Sequence, residues 1–355
     1  MTTNKKVFFQ ILILLLFLST AMPTFAASVA PVVKKATTSK PLEKLFYYIP
    51  GFSTFYSLQA NGNKANIFAP QVYKVDADGV LTGSISDIAL EVVNKNKTPI
   101  MPLVSNENFD PDTMHTILQS TDLQNKIISE LIAEAKSKNY IGWQFDFEHI
   151  MATDRNTFSS FVELTAKKLH KEKLKLSVAL IARSSNKPSD LPAGSWDKYA
   201  GVFDYKRIGR AADFVTLMAY DEPASVGPVA SLPWVKKVLA YTEKHIPKSK
   251  ISLGIPTYGW LWNTDTNTKI RSMPYQKVQD LMDSKGYIGK GFDKTLQTSW
   301  ITYTQGAGAN LVHYKLWYEN AASFKTKLSL AKSQKIRGIS LWVVGMEDPN
   351  IWKSF

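Results

Sequence analysis

Short apolar runs alternate with longer amphipathic stretches along most of the chain, and this alternation restricts the fold more than any other feature. Eight such runs occupy residues 45–50, 67–75, 100–104, 141–147, 174–182, 214–220, 251–258 and 339–344. Between several of them, as in 122–137 and 157–171, apolar residues recur every three or four positions, which is typical of an amphipathic helix. Strands that alternate with helices in this way predict βαβ units and a parallel sheet.

The number of runs and the spacing of the last two predict a closed barrel with an insertion. Eight strand–helix units fit a (β/α)₈ TIM barrel, which typically takes about 250 residues, whereas residues 41–355 provide 315. The surplus lies between the seventh and eighth runs, where about 80 residues are too many for one crossover helix. We therefore predict an α/β fold, a TIM barrel at 41–355 with a small α+β insertion at about 263–314 and a last helix at 321–335.

The first 40 residues have the organisation of a secretory leader and a tether. Lys5 and Lys6 precede an apolar run at 7–18, and small residues follow up to Ala26, which is the pattern of a signal peptide. The run is shorter than the roughly 20 apolar residues that a membrane-spanning helix needs. We predict cleavage after Ala26, with an uncleaved anchor as the alternative, and a flexible linker at 27–40. The protein is therefore expected to be secreted or extracytoplasmic.

Charge and the absence of cysteine narrow the possible partners and sites. The chain has 43 Lys and Arg against 30 Asp and Glu, a formal charge of +13, and no Cys. Disulfides, thiolate metal sites and cysteine nucleophiles are excluded, and the five histidines lack metal-ligand spacing, so we expect no metal and no cofactor. The positive charge favours anionic cell-wall polymers as partners, unless the lysines only keep the surface soluble. No nucleic-acid motif is present, and we expect a monomer.

The segment 140–150, YIGWQFDFEHI, places two acids where a barrel strand is expected to end. Side chains alternate between the two faces of a strand, so Gln144, Asp146 and Glu148 share one face. The residues of the other face are Trp143, Phe145 and Phe147. Three aromatic side chains belong against the surrounding helices, which turns the polar set toward the barrel interior, at the strand ends that form the active-site face of such barrels. The alternative is an edge strand whose acids lie in water.

Two acids held close together suit acid catalysis. Burying such a pair without partners is costly, so a functional role is indicated. Repulsion between the carboxylates should raise one of the two pKa values. A carboxyl group that stays protonated near neutral pH can serve as a general acid. His149 follows Glu148 directly, so we expect it to point the opposite way and to act in packing or in support of the site.

The same segment resembles the fourth-strand signature of glycoside hydrolase family 18, the chitinase-like barrels, which reads Asp-x-x-Asp-x-Asp-x-Glu. Aligned on the final Glu, this chain has Ile141, Gln144, Asp146 and Glu148 at the motif positions. The resemblance implies that Glu148 protonates the glycosidic oxygen and that Asp146 orients the N-acetyl group of the substrate. The acetamido carbonyl would then attack the anomeric carbon, and the configuration would be retained without a protein nucleophile.

Two further stretches are similar to motifs of this family. In FVTLMAYD, Met218, Tyr220 and Asp221 match its Met-x-Tyr-Asp motif. This implies that Tyr220 hydrogen-bonds the acetamido oxygen and that Met218 and Asp221 bind the sugar. Trp342 in GISLWVVG matches the tryptophan beneath the sugar pocket, although Tyr220 and Trp342, each taken alone, could be core residues. Three more tryptophans either line the cleft or pack inside the protein: Trp260, Trp262 and Trp317.

The resemblance covers nearly all of 41–355, and within the family it is to the bacterial spore-cortex and cell-wall N-acetylglucosaminidases. This finer similarity rests on Tyr47-Tyr48, on Asp204-Tyr205 and on the stretch LWYENAASFKTKL.

The chain departs from the motif at Gln144, where the family has a carboxylate that can share a proton with Asp146. A Gln side chain has no titratable proton. We hypothesise that Gln144 still orients Asp146 but shifts the pH optimum or lowers the rate. Ile141 replaces the first motif aspartate and is expected only to pack.

Together these features predict a secreted glycoside hydrolase. Its expected substrate is a polysaccharide that contains N-acetylglucosamine, such as peptidoglycan or chitin, cleaved at the β-1,4 bond on the reducing side of that sugar. A non-catalytic glycan-binding barrel at the cell wall is the alternative, because two motif aspartates are replaced, although Glu148 is kept. A third possibility is an extracytoplasmic protein that uses the barrel as an interaction platform.

Overall fold

The computed structural model describes residues 41–223 and 226–355. The predicted signal peptide at 1–26 and the predicted linker at 27–40 lie outside these residues. Within them, and numbered in chain order, eight strands make up a parallel barrel sheet: Glu43–Tyr48 (β1), Ile67–Val75 (β2), Leu103–Asn106 (β4), Gly142–Phe145 (β5), Lys175–Ile181 (β6), Phe214–Met218 (β7), Ile251–Pro256 (β8) and Gly338–Trp342 (β14). A short strand, Leu81–Thr82 (β3), pairs antiparallel with the end of β2.

The sheet closes on itself because β1 pairs in parallel with both β2 and β14. Leu45 of β1 lies opposite Ile67 on one side and Ser340 on the other. From β14 the order continues through β8, β7, β6, β5 and β4 back to β2. The predicted eight-stranded parallel barrel is therefore confirmed.

Helices connect the barrel strands. Those in the described residues are Phe52–Asn61 (α1), Asp87–Lys95 (α2), Pro111–Gln119 (α3), Thr121–Ser137 (α4), Arg155–Lys171 (α5), Tyr205–Ala211 (α6), Leu232–Glu243 (α7), Gln276–Met282 (α8) and Ala321–Gln334 (α9). The helices predicted from periodicity are α4 and α5, and the predicted last helix is α9. Side chains cap two of these helices: Ser120 accepts a hydrogen bond from the backbone N–H of Leu123 in α4, and Asn320 caps α9 similarly. In the described ranges, no helix has both the length and the apolar character that a membrane crossing requires.

The insertion is a five-stranded antiparallel sheet with one helix, α8, between β8 and β14. Its strands are Tyr258–Asn263 (β9), Thr268–Pro274 (β10), Tyr287–Asp293 (β11), Thr298–Gln305 (β12) and Val312–Tyr318 (β13), in the order β10-β9-β13-β12-β11. The predicted bounds of 263–314 were too narrow. The error arose because β9 is as apolar as the barrel strands and begins only two residues after β8 ends, so the sequence does not separate them.

The fourth barrel strand, β5, has the predicted division of faces, although it ends at Phe145 rather than at Phe147. Trp143 is fully buried, and its indole N–H donates to the carbonyl oxygen of Leu131 in α4 at 2.8 Å. The ring of Phe145 stacks on Phe161 of α5 at 5.5 Å between ring centroids. The aromatic face therefore packs on the helices, and the alternate residues turn inward.

Six inward-facing polar side chains, one from each of six strands, form a hydrogen-bonded group that we call the interior polar layer. Its members are Tyr47, Gln144, Ser177, Thr216, Ser252 and Ser340, all at most 2% exposed. The Gln144 side chain accepts from the Tyr47 hydroxyl and donates to Ser177 at 2.8 Å and to Thr216 at 3.2 Å. The hydroxyl of Ser340 contacts those of Thr216 and Ser252 at 3.3 and 2.6 Å. The buried polar atoms of this layer are thus paired with one another, as burial requires.

Candidate active site

A cavity of about 570 Å³ opens at the carboxyl ends of the barrel strands. Six of the predicted site residues line it: Asp146, Glu148, Met218, Tyr220, Asp221 and Trp342. They come from the ends of β5, β7 and β14, which face the same side of the barrel because parallel strands share a direction. Its volume lies within the range typical of small-molecule sites, roughly 300–1,000 Å³.

The two acids after β5 are held largely out of water. Asp146 is 3% exposed, and burial raises its pKa to about 6. Burial is also the largest influence on Glu148, and together with the negative charges of Asp146 and Asp221 it raises the pKa of that carboxyl to about 8. A neutral Glu148 can therefore donate a proton near pH 7 while Asp146 is mostly ionised. The predicted upward shift is confirmed, but desolvation contributes more than repulsion.

Asn106 at the end of β4 fixes the backbone of Glu148 on both sides. Its amide N–H donates to the Glu148 carbonyl oxygen at 3.1 Å, and its amide oxygen accepts from the Glu148 N–H at 3.1 Å. Asn106 is 1% exposed. The sequence analysis did not identify Asn106. The signal that identified Asp146, a polar side chain at the carboxyl end of a predicted barrel strand, also applies to Asn106.

Gln144 does not have the place predicted for it. It is fully buried in the interior polar layer, does not line the cavity, and its amide bonds Tyr47, Ser177 and Thr216. The structure thus does not bring Gln144 together with the other predicted site residues, and the hydrogen bonds of its amide go to the interior polar layer rather than to Asp146. The amide that reaches Asp146 belongs to Gln71 of β2, whose Nε2 donates to Oδ2 at 3.2 Å.

Gln71→Met is expected to raise the pKa of Asp146. The hydrogen bond from Gln71 favours the ionised carboxylate and so lowers this pKa; its loss should shift the titration upward by up to about one pH unit. NMR titration of the Asp146 carboxyl carbon measures the shift. Gln119→Met is a matched control, because Gln119 donates to Asp154, which is not among the cavity-lining residues. An Asp146 titration that is unchanged in Gln71→Met would contradict this assignment.

Aromatic rings form one side of the cavity. The Trp342 ring lies nearly parallel to that of Tyr220, with centroids 6.1 Å apart, and edge-on to that of Tyr47 at 5.1 Å. Burial raises the pKa of the Tyr220 hydroxyl well above its usual value. Tyr220 therefore keeps its proton at any physiological pH and can donate a hydrogen bond into the cavity, where it lies with Trp342.

Asp221 joins the barrel to the insertion. Its backbone has φ = 58°, in the left-handed region, where Asp is tolerated better than most residues. The carboxylate accepts a hydrogen bond from the hydroxyl of Tyr258, the first residue of β9. Burial raises the Asp221 pKa, although this hydrogen bond and the nearby charge of Lys269 act against the shift. A residue of the insertion thus holds one of the cavity carboxylates in place.

The structure also shows where His149 and three tryptophans of the insertion lie relative to the cavity. His149 was expected to point opposite to Glu148 and to pack or support the site, but it lines the same cavity as Glu148, with its ring 4.8 Å from that of Tyr199. Its φ of 59° breaks the alternation of an extended strand and explains the error. The three tryptophans left open between cleft and packing are at most 5% exposed and are not among the cavity-lining residues: Trp260, Trp262 and Trp317.

Comparison with known proteins agrees with this geometry. A curated relative, the uncharacterized glycosylase YvbX of Bacillus subtilis (strain 168), is 28% identical over 310 residues, which cover 85% of this chain and 87% of the relative. A chitinase from Chromobacterium violaceum ATCC 12472 superposes with a TM-score of 0.78 at 29% identity, covering 88% of this chain and 98% of that chain. The spore cortex-lytic enzyme SleL of Bacillus megaterium QM B1551 also superposes with a TM-score of 0.78, at 25% identity, covering 90% and 74%.

The sequence profile of the glycosyl hydrolases family 18 matches residues 33–347, which is most of the chain. This span includes the cavity with its acid pair, the interior polar layer and the five-stranded insertion. The chain belongs to glycosyl hydrolases family 18.

Proposed function

We propose that this glycosidase is exported and cleaves the β-1,4 bond on the reducing side of N-acetylglucosamine in peptidoglycan or a chitin-like polymer. The observation that carries the proposal is the position of the half-buried Glu148 carboxyl at the wall of a cavity of sugar size, next to the buried Asp146. Partial burial and the neighbouring carboxylates raise the pKa of Glu148 to about 8, so that it can donate a proton near neutral pH. Two similar proteins with solved structures are named as a chitinase and a spore cortex-lytic enzyme, which supports a glycan of this class. Export rests on the leader in the sequence at 1–26.

In the first step, Glu148 donates its proton to the glycosidic oxygen while the acetamido oxygen of the substrate attacks the anomeric carbon. The bond to the leaving sugar breaks, and a cyclic oxazolinium ion forms on the substrate. Asp146, ionised and buried, stabilises the positive charge that develops on the acetamido nitrogen. The Tyr220 hydroxyl donates to the acetamido oxygen, and the Trp342 ring packs on the apolar face of the sugar.

In the second step, the Glu148 carboxylate takes a proton from a water molecule, which attacks the anomeric carbon and opens the oxazolinium ring. Glu148 is thereby protonated again, and the acetamido group is restored. Two inversions at the same carbon give net retention, and no side chain of the protein becomes bonded to the sugar.

Following the anomers of the product by NMR tests this proposal. With N-acetylglucosamine oligomers or purified peptidoglycan as substrate, we expect the β-anomer of the new reducing end to form first and the α-anomer to follow by mutarotation. Initial formation of the α-anomer would indicate inversion and contradict the substrate-assisted route. Binding of both polymers without turnover of either would support the alternative, a glycan-binding barrel.

A further inference from the structure

Lys269 places a positive charge at a cavity that is otherwise rich in acids. The titratable acids that line the cavity are Asp146, Glu148 and Asp221. Lys269, from β10 of the insertion, also lines it, and no other Lys or Arg of the described residues does so. A cation at the wall of a sugar-binding cavity can select substrates by their charge.

The pairing of β10 with β9 places Lys269 on the tryptophan face of the insertion sheet. In the pairing of β10 with β9, Lys269 lies opposite Trp262 and Arg271 lies opposite Leu261, so that Ile270 is an extra residue without a partner. Residues that lie opposite each other in an antiparallel pair project from the same face of the sheet, so the Lys269 side chain shares the face of Trp262 and Trp260.

The Lys269 ammonium is held by an aromatic ring and forms no ion pair with any residue of 41–223 or 226–355. Its Nζ lies 3.8 Å from the centroid of the Trp260 ring, which is a cation–π contact. No carboxylate of the described residues lies within 4.0 Å of it, although its charge does lower the pKa of Asp221. A cation fixed in this way keeps its hydrogen-bond donors available for a ligand.

We propose that Lys269 binds a carboxylate on the glycan near the cleaved bond and so selects acidic amino-sugar polymers over neutral ones. This inference rests on the proposed function and specifies its substrate class. A polymer of N-acetylglucosamine alone has no carboxylate, whereas peptidoglycan has two sources: the lactyl ether of its second sugar and the stem peptide attached there. Both present the same chemistry to an ammonium group.

Binding measurements in a Glu148→Gln background test the selection without turnover. The ligands are a neutral N-acetylglucosamine oligomer, a peptidoglycan oligomer of equal length with free lactyl carboxylates, and the same oligomer with stem peptides. We expect both acidic ligands, or the one with the correct carboxylate, to bind more tightly than the neutral oligomer at low salt. Adding Lys269→Met should reduce the ratio of neutral to acidic Kd by about tenfold. High salt should reduce the same ratio.

Lys315→Met is the matched control. Lys315 of β13 lies on the same face of the insertion sheet, opposite Trp262, and its Nζ is 4.1 Å from the Trp317 ring centroid. It does not line the cavity, so its removal should leave the Kd ratio unchanged. The difference between the two acidic ligands identifies which carboxylate is bound.

Two results would overturn the inference. One is equal affinity of the parent Glu148→Gln protein for neutral and acidic oligomers at low salt. The other is a loss of affinity in Lys269→Met that is the same for all three ligands, since this would mean that Lys269 only balances the charge of Asp221. If the proposed function fails, the wild-type protein shows no turnover of these polymers. The Kd values can still be compared in that case, so the two failures can be told apart.

Discussion

Glu148→Gln is expected to lower kcat by about 10³-fold and to change KM by only a few fold. The amide has nearly the size of the carboxyl group but cannot donate a proton to the leaving oxygen, and loss of a general acid typically costs 10²–10⁴ in rate. Because the active form needs Glu148 protonated, the wild-type rate should fall as the pH rises through about 8. Steady-state hydrolysis of N-acetylglucosamine oligomers between pH 5 and 10 measures both effects.

Thermal unfolding measured at several pH values distinguishes a catalytic defect of Glu148→Gln from misfolding. Burial, together with the charges of Asp146 and Asp221, raises the pKa of Glu148 from its ordinary 4.5 to about 8, so the wild-type protein loses stability as the pH rises through this interval. The Gln side chain cannot ionise. The variant should therefore have a Tm at pH 9 equal to or above that of the wild type. Wild-type kcat in a variant that is folded by this criterion would exclude Glu148 as the acid.

Asp146→Asn is expected to lower kcat by about 10²-fold and to move the alkaline limb of the pH–rate profile to lower pH. The rate falls because the charge that stabilises the oxazolinium ion is lost. The limb moves because the charge of Asp146 is one cause of the raised pKa of Glu148; without it, Glu148 ionises at lower pH. The dependence of kcat on pH, measured with the same oligomers, shows both changes.

Asp154→Asn is the control for Asp146→Asn. Asp154 is also 3% exposed, but its carboxylate contacts His115 and Gln119 and is not among the cavity-lining residues. Its replacement should lower the free energy of unfolding by about 1–3 kcal/mol and leave the pH–rate profile in place. An alkaline limb that is unmoved in Asp146→Asn would show that the two carboxyl groups do not interact as described.

The barrel could be predicted because each of its eight strands gives the same signal in the sequence, an apolar run. Each strand is buried on both faces and reads as an apolar run, so an error of two or three residues at any strand end leaves the count of eight intact. The acids were predictable for a similar reason: alternation along one strand fixes which side chains share a face. Predicting that Asp146 and Glu148 lie together therefore required no information about any other strand.

The contacts between strands could not be predicted in this way. Assigning Gln71 rather than Gln144 to Asp146 requires knowing how two strands lie against each other in the barrel, which no local pattern records. His149 lies where the extended backbone is interrupted by a positive φ. There the rule of alternating faces fails, and the direction of the side chain depends on the tertiary structure. The leader at 1–26 remains a prediction from the sequence.

The interior polar layer has a consequence for how such an enzyme can be redesigned. It ties six strands together directly beneath the carboxylates and contains no ionisable acid or base with an ordinary pKa near neutrality. A substitution there would disturb several strands at once. Libraries aimed at new specificities should therefore randomise cavity-lining positions outside this layer, such as Leu191, Pro192 and Ser195, and keep these six positions constant.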